Sequence, residues 1–125
     1  MKSYDPDIAP DPVTWLALGE PERLELVERA HEQEFDDLPN PTLHFAMHVV
    51  IETQVAMGDE LPVAGHLSRL LSEGLERHDA IHAIASVLAE HMFNMMKRPS
   101  RSSRDPNEPY YAALARLSAR KWRRS

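Results

Sequence analysis

Between Pro41 and Met57 the chain is mostly apolar, "PTLHFAMHVVIETQVAM", and three of its polar residues, His44, His48 and Glu52, fall four residues apart. Residues four apart share one helix face, so this stretch predicts a buried helix bearing a single polar stripe. Prolines at Asp11-Pro12, Glu20-Pro21, Asn40-Pro41 and Leu61-Pro62 mark helix starts, because a first-turn Pro gives up an N–H that has no helical partner anyway. The spacing of apolar positions then predicts helices over 12–18, 21–34, 41–57, 62–76, 78–97 and 108–122, and no segment alternates as a strand would. Short connections at Gly58-Asp59 and from Gly74 to His78 favour antiparallel neighbours, so the third, fourth and fifth helices run up, down, up. The expected fold is all-α: a compact up-down helical bundle of five to six helices with a basic C-terminal helix or arm.

The four-residue pattern recurs in "RHDAIHAIASVLAEH", where His78 and His82 form a second H-x-x-x-H pair. Each pair presents two imidazoles toward one point, which is how helices commonly chelate a metal. Both pairs open helices expected to run parallel, so they lie at similar depth. On the fifth helix Ile81, Ile84, Ala85, Leu88, Met92 and Met95 form the apolar face, with His78 and His82 at its edge. On the third, His44 and His48 lie between Ile51 and Phe45, with little access to bulk water. His31, near the end of the second helix, is a fifth candidate, placed at the same end of the bundle if its helix runs antiparallel to the third.

Charge and composition narrow the chemistry. The 125 residues suit one domain, and 42% hydrophobic with 27% charged residues is the balance of a soluble globular protein. No apolar run approaches the roughly 20 residues of a membrane-spanning helix. The start, "MKSYDPDIAPDPV", is acidic and proline-rich where a secretory signal is basic and then apolar, so a cytoplasmic location is expected. With no cysteine, disulfides, thiolate catalysis and Cys-based metal sites are excluded. Only four glycines are present, with no phosphate-cradling loop among them. A metal must therefore use His and carboxylate, and His44, His48, Glu52, His78 and His82 form the expected ligand set, for zinc or iron. The other reading of the same residues is a buried His/Glu hydrogen-bond network without metal. Neither pair reads H-E-x-x-H, which disfavours a zinc protease. Were the site catalytic, the ion would activate water or polarise a substrate, with Glu52 as ligand or base.

The net charge of −6 hides an asymmetry: residues 1–96 hold eighteen acids and five bases, residues 97–125 two acids and nine bases. The Ser-, Pro- and Arg-rich stretch 98–109 reads as a linker, dividing a helical core at 1–97 from a linker and basic C-terminal helix at 98–125. That helix puts Arg116, Arg120, Arg123 and Arg124 on one side and Tyr110, Leu114 and Leu117 toward another. Its simplest partner is the acidic body of the same chain, of a second copy in a homodimer, or of an acidic protein; nucleic acid or an anionic membrane surface is a less favoured partner. An interaction module using this helix, with the His/Glu cluster purely structural, is the alternative function. Met92, Met95 and Met96 beside His91 are read as core filler rather than a copper site. Glu34, Asp36 and Asp37 are read as a solvated acidic helix end.

"NPTLHFAMHVVIETQ" followed by "RHDAIHAIASVLAEHMF" resembles a family of small uncharacterised bacterial proteins, the domain of unknown function 1841. The likeness spans residues 40 to about 96 and rests on Asn40, Pro41, Leu43, His44, Met47, His48, Glu52 and Gln54, then on His78, Ala80, His82 and Glu90. It implies a small helical fold with these His and Glu positions as its signature, and it implies no reaction.

Overall fold

The computed structural model describes residues 1–33, 40–97 and 105–124. Among them the chain forms seven α-helices: α1 (Pro12–Ala17), α2 (Glu20–Ala30), α3 (Pro41–Ala56), α4 (Val63–Ser72), α5 (Arg77–Lys97), α6 (Glu108–Arg116) and α7 (Ala119–Arg124). No strand occurs among the described residues. Glu34, Asp36, Asp37 and most of the expected linker lie outside them.

Local chemistry explains most of the boundaries. Asp11 caps α1 by accepting from the Thr14 N–H, and Asn40 caps α3 by accepting from Leu43, each just ahead of its proline. Gly74, at φ +101°, ends α4 as the Leu75 N–H reaches back to the Leu70 carbonyl and that of Gly74 to Leu71, a left-handed termination that favours Gly. The expected 62–76 helix therefore stops at Ser72. The expected 108–122 helix is two: Leu117 is extended at ψ 138°, and the Ser118 hydroxyl then accepts from the Lys121 N–H to start α7.

The central element is α3, which packs against α1, α2, α4 and α5. Its apolar positions divide between two cores. Phe45 and Val49 join Tyr4, Trp15, Leu26 and Val27 on one side. Met47 and Ile51 join Leu67, Leu70, Ile81, Ile84, Tyr110 and Leu114 on the other. At about 100° per residue, His44, His48 and Glu52 lie on the strip between those two faces. A helix that is apolar nearly all round therefore carries its polar stripe along the seam between two packed surfaces. Full burial of a side chain such as Phe45 or Ile51 contributes about 1.5–3 kcal/mol.

The C-terminal elements pack on this frame. Tyr110 and Leu114 are buried in the second core, the Ala119 N–H donates to Glu73, and Arg123 donates to the Gly74 carbonyl. Met92 differs from expectation: it is 48% exposed, on the outer side of α5 with Phe93 and Met96. No described helix is long and apolar enough to cross a membrane.

Candidate metal centre

Five imidazoles converge at the seam. His31 closes the end of α2, His44 and His48 lie on α3, and His78 and His82 on α5. One ring nitrogen from each lies within 4.8 Å of every other. The closest ring pairs are His78 with His82, 4.2 Å between centroids, and His31 with His48, 4.6 Å. His31 and His48 are fully buried, and His44, His78 and His82 are half-buried. Four of the five expected ligands, His44, His48, His78 and His82, are thus brought together, and His31, as buried as His48, joins them.

Glu52, expected among the ligands, is placed differently. Its Oε1 accepts from Arg77 Nη2 and its Oε2 from Arg77 Nη1, both at 2.7 Å, and Oε2 also accepts from the Tyr4 hydroxyl at 2.5 Å. The carboxylate belongs to a buried Arg77–Glu52–Tyr4 network beside the imidazoles. Tyr4 touches both: its Oη lies 3.2 Å from His48 Nδ1.

Hydrogen-bond partners set the tautomers of two rings. His31 Nδ1 lies 2.8 Å from the Val27 carbonyl, which can only accept, so Nδ1 carries the proton and Nε2 the lone pair. That buried Nε2 has no hydrogen-bond partner among the described residues. The Glu52 carboxylate, paired with a guanidinium, can only accept, so Tyr4 donates to it and its oxygen accepts from His48 Nδ1–H. His48 Nε2 then holds its lone pair toward the cluster, 3.0 Å from His82 Nε2.

Electrostatics favour the neutral ring at His48 and at His82. Burial, reinforced by His31 and the other imidazoles, holds His48 down at about 2, against an ordinary 6.5. Burial and then His78 hold His82 at about 4. Burial, then the Glu52 charge, pushes the Tyr4 hydroxyl well above its ordinary range and keeps it protonated. Burial works against the Arg77 charge, but Glu52 outweighs it and the guanidinium is held more firmly protonated. Neutral imidazole is the form that binds metal.

Two participants were not found from sequence. Arg77 is a lone Arg immediately before "HDAIH", with no spacing signal to pair it with Glu52, 25 residues earlier. Tyr4 sits in a proline-punctuated segment with no periodicity; its one signal is an aromatic residue in an otherwise polar start. His91, set beside methionines in the sequence, is elsewhere: it is buried and stacked on Tyr110, with ring centroids 5.7 Å apart, while Met92 and Met96 face outward.

A family model described as a domain of unknown function (DUF1841) matches residues 18–116. The chain belongs to this family. No curated protein and no solved structure matches it. The DUF1841 span takes in the five clustered histidines, Glu52 and Arg77, and leaves Tyr4 outside.

Proposed function

We propose that this is a metal-binding protein whose five imidazoles, from His31, His44, His48, His78 and His82, hold a single divalent ion, zinc or iron. The carrying observation is His31: its Nδ1 proton is committed to the Val27 carbonyl, which leaves a buried Nε2 lone pair among four other imidazoles with no donor to it among the described residues. A metal-free network would leave that acceptor unsatisfied, at a cost of about 1–3 kcal/mol. A metal ion satisfies it directly.

The dimensions suit one ion. With metal–nitrogen bonds of about 2.0–2.1 Å, adjacent ligand nitrogens lie roughly 3.0–3.4 Å apart and opposite ones about 4.1 Å. The 3.0 Å between His48 Nε2 and His82 Nε2 is such an adjacent spacing, and the 4.8 Å limit on the whole set asks only a small contraction. Two ions about 3.5–4 Å apart would need a wider set of donors. Imidazole sets suit zinc, iron, copper and nickel, and the absence of cysteine removes the thiolates that draw softer ions.

Glu52 supports the reading from outside the ligand set. Arg77 cancels its charge, so a divalent ion held by neutral imidazoles keeps both its positive charges.

Metal analysis of the protein purified without a His tag, with thermal melts in zinc and in chelator, tests this. Stoichiometric metal and a zinc-dependent rise in melting temperature are expected. No bound metal together with no zinc-dependent rise sinks the reading and returns the cluster to a structural role.

A further inference from the structure

The segment ahead of α1 is tied to the imidazole cluster at three successive points. The Tyr4 hydroxyl donates to Glu52, one turn beyond His48 on α3. The Pro6 carbonyl accepts from Arg77 Nη1 at 3.0 Å, and the Asp7 carboxylate accepts from the His78 backbone N–H at 3.2 Å. Each anchor grips either a cluster histidine or the pair that flanks one. The Tyr4 ring is 6% exposed and packs on Trp15, with centroids 5.8 Å apart, which fixes where its hydroxyl can point.

We propose that Tyr4 is a positioning residue of the metal centre: its hydroxyl, oriented by the Glu52–Arg77 pair, holds His48 in the Nδ1–H tautomer with Nε2 aimed at the ion. The assignment rests on the metal reading above and adds a residue to it. Metal-binding histidines usually donate their other ring N–H to a carboxylate or carbonyl, which sets tautomer and ring orientation. Here the carboxylate has both oxygens on Arg77, and a phenol bridges the remaining gap, donating to Glu52 on one side and accepting from His48 on the other. The Tyr4 hydroxyl is the donor that leaves the phenol oxygen free to accept; with it removed, His48 Nδ1–H loses its acceptor and the ring is free to exchange tautomers. Because Tyr4 precedes the matched span, this support comes from a part of the chain that the family model does not cover.

The test compares zinc affinity, by competition with a chromophoric chelator, in the wild type, Tyr4→Phe and Leu26→Ala. Tyr4→Phe keeps the ring and removes only the hydroxyl. Leu26→Ala thins the same apolar core without touching the hydrogen-bond chain. Loss of an orienting partner typically weakens metal binding about 10–100-fold, and that loss is expected for Tyr4→Phe at unchanged helical content. Leu26→Ala is expected to lower the melting temperature and leave affinity as in the wild type. A Tyr4→Phe protein that binds zinc like the wild type overturns the role of Tyr4 while leaving the metal centre standing; a wild type that binds no zinc overturns both. Nitrogen chemical shifts of His48 in the unaltered, metal-free protein give a second measurement, in which an Nε2–H tautomer contradicts the assignment whatever the variant does.

Discussion

Arg77 holds both carboxylate oxygens of Glu52, at 2.7 Å each, and the two side chains are 7% and 0% exposed. A buried pair of this kind resists the loss of either partner far more than the loss of both, because a lone charge is left without water or counter-ion. Arg77→Ala is expected to destabilise the protein by about 3–5 kcal/mol. For a domain of this size that lowers the melting temperature by roughly 10–20 °C. Glu52→Leu combined with Arg77→Met removes the charge with its partner and recovers much of the loss. Denaturant melts of the single and double variants check this; equal destabilisation in both would mean that charge is not what the site answers to.

The same pair shows where sequence reading stops. The two H-x-x-x-H pairs were legible because four-residue spacing fixes a shared face, and the prolines and Asn40 fixed where α3 begins. The stripe on α3 was legible too, but a helical face says which way a side chain leaves the backbone and nothing about what it meets. Glu52 therefore read as a fourth-turn ligand, while its partners came from Arg77 and Tyr4, 25 and 48 residues away. His31 was harder, since a lone His at a helix end has no periodic companion; its role follows from Val27 behind it and His48 in front. The break at Leu117 had one visible sign, Ser118, a good N-cap residue set between two runs that otherwise continue one another.

Zinc should stabilise the folded protein in proportion to its free concentration. At a hundredfold excess over Kd a ligand specific to the native state adds about 2.7 kcal/mol, worth roughly 10 °C in melting temperature here. His44→Ala with His48→Ala is expected to abolish that rise. His31→Ala is the sharper test, because a centre built only from the two H-x-x-x-H pairs would keep the full rise without it. A smaller rise in this variant places His31 in the ligand set, and an undiminished one removes it.

Acid should weaken the metal-free protein through the buried imidazoles. His48, at about 2, and His82, at about 4, both lie below the ordinary 6.5, so between those values the unfolded chain binds protons that the folded one refuses. Stability then rises with pH: it is fully present above 6.5 and falls as pH drops toward the folded values. Thermal melts in chelator from about pH 7.5 to about pH 4 should show this loss, with a shallower slope in His82→Gln, which has one fewer ring to protonate on unfolding. Zinc should be released over the same interval, since each ligand must stay neutral to bind. Identical slopes in the variant and the wild type would show that His82 is not held neutral by the fold.

At the other end of the chain, Glu73 joins the end of α4 to the start of α7. Its Oε2 accepts from Arg69 Nη1 at 2.8 Å and its Oε1 from the Ala119 N–H at 2.9 Å, at the start of α7. That backbone contact sets the first turn of α7 against the end of α4, where the positive end of a helix meets a carboxylate. Burial contributes little at this exposed site; the Ala119 N–H and Arg69 together hold the Glu73 carboxyl below its ordinary range. Glu73→Ala is expected to loosen α7 without unfolding the bundle, because Tyr110 and Leu114 anchor α6 independently in the core. Amide exchange should accelerate at Ala119 and through Trp122 while remaining slow at Leu114, and zinc affinity should not change, since Glu73 is held by Arg69 and Ala119, away from the α2, α3 and α5 positions of the imidazoles. Protection at Ala119 equal to the wild type would show that Arg123 on the Gly74 carbonyl suffices to seat α7.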